Sequence, residues 1–221
     1  MIGQLLAIWQ ADAAFPSGGF AFSNGMEGLA AGGAALDPDA LRRVIEGALR
    51  RRWATADRPA LLGALARAHD LDAVAEIDRE IEATTLAEPF RSGSRKNGAG
   101  LLAAHVRIGT PGAREWQGRV RSGAAFGHLA ATQGVVWRGA GLDAQGASLA
   151  SGYMAASGFV TAAIRLGIIG AVAAQSVLRD LLGVVAELAA APAPARIESF
   201  SPRLDVAAIR HARGELRLFA N

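Results

Sequence analysis

Four histidines, His69, His105, His128 and His211, are the side chains best suited to hold a metal or move a proton, yet at least 23 residues separate any two of them. None falls in an HxxH, HxH or HExxH spacing, so the sequence offers no local metal site. The acids Glu76, Asp78, Glu80 and Glu82 share a helical stretch with Arg79 and fall on more than one face, the pattern of a solvated helix rather than a carboxylate cluster. Gly93-Ser-Arg-Lys-Asn-Gly98-Ala-Gly100 has the glycines of a phosphate loop, but Ala99 and Gly100 stand where the lysine and the magnesium-binding hydroxyl are needed. Ser94 is read instead as a helix cap with Arg95 and Lys96 in the first turn. Ser17-Gly18-Gly19 lacks the strand-elbow-helix setting of a hydrolase serine. No nucleophile, base and orienter can be nominated, and no catalytic, cofactor or metal residue is assigned.

The elements that would position any site are helices. Half the 221 residues are hydrophobic, aromatics are only 6%, and alanine and glycine are abundant, which suits close-packed helices better than a sheet needing Val, Thr and Tyr. No stretch alternates apolar and polar between hairpin turns, and no repeat of fixed length appears. Cysteine is absent and the net charge is only +3, so disulfides, zinc fingers and a thiol nucleophile are excluded. The densest basic run, Arg50-Arg51-Arg52, is read as a helix C-terminus and not as a nucleic-acid stripe.

Leu5, Leu6, Ile8 and Trp9 give residues 2–11 a helical pattern that ends at Asp12 before Phe15-Pro16-Ser17-Gly18-Gly19. Asp37-Pro38-Asp39 is the clearest helix start, followed by Leu41, Val44, Ile45, Ala48, Leu49 and Trp53 at helical spacing. Asp57 before Pro59, Asp72, Ser94, Thr110-Pro111 and Ser201-Pro202 repeat that grammar. The expectation is an all-α chain of eight to ten helices. Gly123 and Gly127 are spaced to let two helices approach closely. The uncharged stretch 144–164 and the short apolar stretch from Arg165 to Arg179 are read as buried helices without a membrane span, and the N-terminus lacks the basic start and cleavage site of a signal peptide. A cytoplasmic protein is expected. Pro192 and Pro194 in AAAPAPA must end a helix, dividing the chain into a helical body, residues 1–191, and a hinge with C-terminal tail, residues 192–221. Leu216, Leu218 and Phe219 are too apolar for a free end, so the tail should fold back or dock on a partner.

One stretch is specific. LLAIWQADAAFPSGGFAFSNGMEGLAAGG resembles the opening of the UreF family of urease accessory proteins: an apolar helix, a Pro-x-Gly-Gly-aromatic-x-aromatic-Ser loop, then Gly-hydrophobic-Glu. The matching positions are Phe15, Pro16, Gly18, Gly19, Phe20, Phe22, Ser23, Gly25, Met26 and Glu27. Asp57-Arg58-Pro59, Ser94-Arg95, Gly98, Leu101-Leu102, Tyr153, Ala162 to Leu166, Gly170, Gln175 and the His211 to Arg217-Leu218-Phe219 finish follow in the family's order. Ile168, Ala171 and Ala174 depart from it, where Pro, Gln and Gly are common, as does Ala212.

The resemblance implies a helical, non-enzymatic scaffold that dimerises, binds UreD (also called UreH), recruits the GTPase UreG and docks on urease apoprotein during nickel insertion. Nickel would be handled by the assembly, with no cofactor in this chain. It directs attention to Phe15, Pro16, Gly19, Phe20, Phe22, Arg165, Gln175, His211, Arg217, Leu218 and Phe219 as partner-binding residues. Two other readings are an all-α enzyme or cofactor carrier, with Trp9, Trp53, Trp116 and Trp137 lining an interhelical pocket, and a membrane-associated helical protein.

Overall fold

The computed structural model describes residues 1–213 and 218–219. Among them the chain is all-helical, with no strand. The elements are α1 (Ile2–Ala11), α2 (Met26–Ala31), α3 (Pro38–Ala48), α4 (Arg58–Ala66), α5 (Leu71–Thr84), α6 (Glu88–Arg107), α7 (Ala113–Arg121), α8 (Leu129–Ala140), α9 (Ala144–Arg165), α10 (Ala171–Ala190) and α11 (Pro202–His211). A π-helical stretch, Leu49–Asp57, joins α3 to α4 without leaving helical backbone angles. The two are therefore one rod, which brings the described rods to ten, at the top of the expected range.

Two hydrophobic clusters make the core. Leu41, Ile45, Trp53, Phe159, Val160, Leu181 and Leu204 belong to one, and Leu61, Leu65, Trp116, Val136, Trp137 and Ala147 to the other. The α3–α4 rod and α9 contribute to both, so they fuse the two clusters into one body. α9 is the one described helix long and apolar enough to cross a membrane, and more than half of its apolar window is buried inside the protein, as the sequence reading expected.

The π stretch has a cause. Pro59 has no N–H to give Thr55, its α-helical acceptor. The Thr55 carbonyl instead accepts from Glu198 N–H at 2.9 Å, and the Arg51 carbonyl from Phe200 N–H at 3.1 Å. The segment after the two prolines is thus stitched to the widened turns, with Thr55 Oγ1 donating to the Glu198 carbonyl at 2.6 Å. Arg58, buried, donates to the carbonyls of Ala189 and Ala191 where α10 ends.

Several capping expectations are corrected. Asp37 caps α3 as read, accepting from Ala40 N–H. Asp57, however, lies inside the rod and caps nothing, because the turn ahead of Pro59 stays helical. Asp70, not Asp72, caps α5. Ser94 lies within α6, and its Oγ accepts from Leu129 N–H at the start of α8. α7 begins after Gly112 rather than at Pro111. Arg50-Arg51-Arg52 sits mid-rod, where Arg50 pairs with Glu46 and Glu187 and Arg52 lies over the Phe90 ring. Gly123 and Gly127 both have positive φ in the loop after α7 rather than lying on a helix face, and it is the missing Cβ of Gly98 on α6 that lets the Gly127 carbonyl approach. The α5 acids are not all solvated: Asp78 is buried and accepts from Phe126, Gly127 and His128 N–H at 2.6, 2.8 and 2.9 Å. Glu82 holds Arg91, Arg95 and His128 Nε2.

Candidate functional site

The loop between α1 and α2 turns on glycines. Gly18 and Gly25 have φ of 77° and 87°, left-handed angles that a side chain resists. Between them a single 3-10 turn, Gly19–Ala21, leaves Phe20 72% exposed and directs Phe22 into the interior. α2 follows at once, placing the Glu27 carboxylate in its first turn.

Glu27 is buried and draws the two ends of the chain together. Its oxygens accept from Leu218 N–H at 2.6 Å and Phe219 N–H at 3.2 Å, while His211 Nε2 lies 3.0 Å from Oε2. Phe219 is 4% exposed and its ring lies beneath Arg165, whose guanidinium carbon is 4.2 Å from the ring centroid. That arginine closes α9 and also donates to the Phe20 carbonyl. α2 can lie this close to α11 because Gly28 has no Cβ; one there would overlap the Ala207 carbonyl. Buried amides and a carboxylate satisfy one another here, and the cation over an aromatic face adds to the hold. Facing solvent are the Phe20 ring and the Leu218 side chain, 55% exposed, beside the exposed Arg165.

Of the residues singled out from sequence, Phe20, Arg165, His211, Leu218 and Phe219 meet at this locus. Phe22 is buried below the loop. Gly19 N–H faces Ser17 Oγ at 3.4 Å, and Pro16 is exposed. Phe15 turns the other way, its ring 5.4 Å from that of Trp9 and 5.2 Å from that of His105. Gln175 is exposed on α10 and forms no hydrogen bond with the locus. Arg217 lies outside the described residues. Glu27 stands among the family-matching positions but not among the partner-binding residues; the signal for its role is a lone acid in an otherwise apolar helix turn, which must find donors if buried.

Of the remaining histidines, His69 is exposed, and His105 and His128 are buried. His105 is fully buried, with Nδ1 2.8 Å from Thr110 Oγ1 and Nε2 3.1 Å from Gln10 Oε1, and burial pushes it down to about 4. Burial also lowers His128. Among the described residues no three His, Cys, Asp or Glu side chains are grouped to hold a metal. The locus offers backbone donors already satisfied and two exposed apolar side chains at its rim, the chemistry of a protein contact rather than of bond making.

A UreF family profile matches residues 36–182. The chain belongs to the UreF family. It is similar to urease accessory protein UreF 1 of Brucella melitensis, 32% identical over 217 residues that cover 95% of this chain and 89% of the relative. It is likewise similar to urease accessory protein UreF of Trichodesmium erythraeum, 27% identical with 100% and 98% covered, and to that of a Mycobacterium species, strain JLS, 32% identical with 98% and 97% covered. UreF proteins are urease accessory proteins, and the chain is one of these rather than an enzyme. The reading as an all-α enzyme is set aside on that ground.

Proposed function

We propose that this UreF-family chain is a cytoplasmic scaffold that binds UreD (UreH) through the Phe20–Leu218 surface, recruits the GTPase UreG in that complex, and acts as a homodimer during nickel insertion into urease apoprotein. The observation that supports the reading is the convergence at Glu27. Residues 20, 27, 165, 211 and 219 are scattered over almost the whole sequence, yet they are spent on presenting two exposed apolar side chains, Phe20 and Leu218, on a fixed backbone. Aromatic and aliphatic anchors on rigid supports are what an interface needs at its centre. Metal cargo and nucleotide hydrolysis belong to the assembly.

Co-expression with UreD and UreG followed by size-exclusion chromatography tests this. The Phe20→Asp, Leu218→Asp double variant should keep its helical circular dichroism and lose co-elution with UreD, and UreG with it. Val172→Asp, on a similarly exposed residue of α10, should leave the complex intact. Normal co-elution by the double variant would remove this surface from the assembly.

A further inference from the structure

We infer that the pocket closed by Glu27 and Arg165 is a peptide-docking site for an extended, phenylalanine-bearing segment of a partner protein, with the chain's own Leu218-Phe219 as its resident and displaceable occupant.

The resident defines the ligand. The pocket takes hold of two successive backbone amides, received by the two oxygens of Glu27 at 2.6 and 3.2 Å, and of one phenyl ring, which lies 4.2 Å from the Arg165 guanidinium carbon and is 4% exposed. The ring joins the hydrophobic cluster that contains Met26, Phe159 and Leu204. The Leu218 side chain stays more than half exposed and is not selected. Every peptide carries such amides, so only the ring is particular. Main-chain bonds that give affinity, with a side-chain pocket that gives specificity, are the pattern of peptide recognition. An aromatic ring under an arginine supplies the anchor.

The walls have supports of their own. Glu27 rides on α2, which approaches α11 closely through glycine: a Cβ at Gly25 would lie 3.2 Å from the Leu204 carbonyl oxygen, and one at Gly28 would overlap the Ala207 carbonyl. Arg165 closes α9 and donates to the Phe20 carbonyl. His211 Nε2, 3.0 Å from Glu27 Oε2, still faces the carboxylate when the two amides leave, so no charge is stranded alone in the interior. Asp78 differs, because its three amide donors belong to the entrance of α8. A pocket whose walls stand without the occupant is preorganised for another one.

Because the polar bonds run to main chain, the pocket does not need this chain's own sequence on either side of the ring. A partner segment with the same amides and ring meets the same contacts. The resident competes from within the chain at an effective concentration on the order of millimolar. An incoming segment therefore gains the pocket as part of a larger contact, and its docking is coupled to release of Leu218 and Phe219.

The probe is a fluorescein-labelled peptide, Gly-Ala-Leu-Phe-Ala-Gly, titrated by anisotropy against the full chain and its Phe219→Ala variant. The variant lacks the resident ring and should bind the peptide at least about tenfold more tightly than the wild type. The same peptide with alanine in place of phenylalanine should bind neither protein. Glu27→Ala or Arg165→Ala, added to Phe219→Ala, should weaken binding by about tenfold or more. A peptide with the sequence of residues 215–221 should bind within about threefold of the generic one. Equal affinity for the wild type and the Phe219→Ala variant overturns the proposal. Binding of the chain's own sequence without binding of the generic peptide also overturns it, and gives the pocket to this chain alone. A Phe219→Ala chain that loses its helical circular dichroism does the same, because the ring would then be core. No UreD enters the assay, so this reading and the UreD reading stand or fall separately.

Discussion

Glu27 accepts the backbone N–H of Phe219 across 192 residues of sequence. A carboxylate in the first turn of α2 is thereby the anchor of the C-terminus, and Arg165 clamps the same phenyl ring from α9. The tail that looks like an appendage after two prolines is held at its Phe219 by a charge-assisted contact, a class of hydrogen bond roughly twice as strong as a neutral one.

Glu27→Ala should release that end without unfolding the chain. The Leu218 and Phe219 amides lose their acceptor, which at about 1.5 to 3 kcal/mol per charge-assisted contact corresponds to exchange faster by roughly ten- to a hundredfold. Hydrogen exchange read by mass spectrometry on the C-terminal peptide checks it. Amides of α8 should not change.

Much of the architecture was legible because it follows local rules. The helices at 2–11, from Pro38 and from Pro202 come from periodicity and capping residues, and α10 ends ahead of Pro192 as proline demands. What sequence could not show was where satisfied groups find distant partners. Ser94 looked like the cap of its own helix and serves α8, 35 residues on. Asp78 looked solvated because its partners are backbone amides, which every residue has and no pattern advertises. Family resemblance pointed to Phe20, Arg165 and Phe219, but their meeting around Glu27 is a property of tertiary packing alone.

Acid should loosen the α1 end of the molecule. His105 is held neutral by burial, at about 4 against an ordinary value of 6.5. Between those values the unfolded chain binds the proton and the folded chain does not, so stability rises with pH across that window and falls as pH drops from about 6.5 to 4. The shift corresponds to roughly 3 kcal/mol at the acid end. Urea titrations at a series of pH values should show this slope in the wild type. His105→Gln, which cannot be protonated, should make it shallower, leaving the part due to the buried His128.

Two glycine substitutions should have opposite signs. A Cβ at Gly28 would overlap the Ala207 carbonyl and force α2 from α11, costing about 1 to 3 kcal/mol. Gly47, in α3, has open space where its Cβ would be, so Gly47→Ala should stabilise by about 0.5 to 1 kcal/mol through helix propensity. Thermal denaturation should therefore order the three proteins as Gly47→Ala above wild type above Gly28→Ala.

Asp78 gives the sharpest test of the buried polar structure. Its carboxylate, on α5, accepts three successive amides at the entrance to α8, donors that no turn of the helix itself could satisfy. Burial pushes the carboxyl up while those amides and the nearby His128 pull it down, and burial has the larger effect. The acceptor oxygens should therefore matter more than the charge. Asp78→Ala strands three N–H groups in the interior and should cost about 3 kcal/mol even with some relaxation, a fall of about 6 to 12 °C in Tm for a chain of this size. Asp78→Asn keeps an oxygen that can accept two of the amides and removes a charge that burial disfavours, so it should lose less than half as much. Equal losses in the two variants would mean that the charge at the α8 N-terminus dominates. A wild-type Tm for Asp78→Ala would mean that the loop from Phe126 to His128 finds other acceptors.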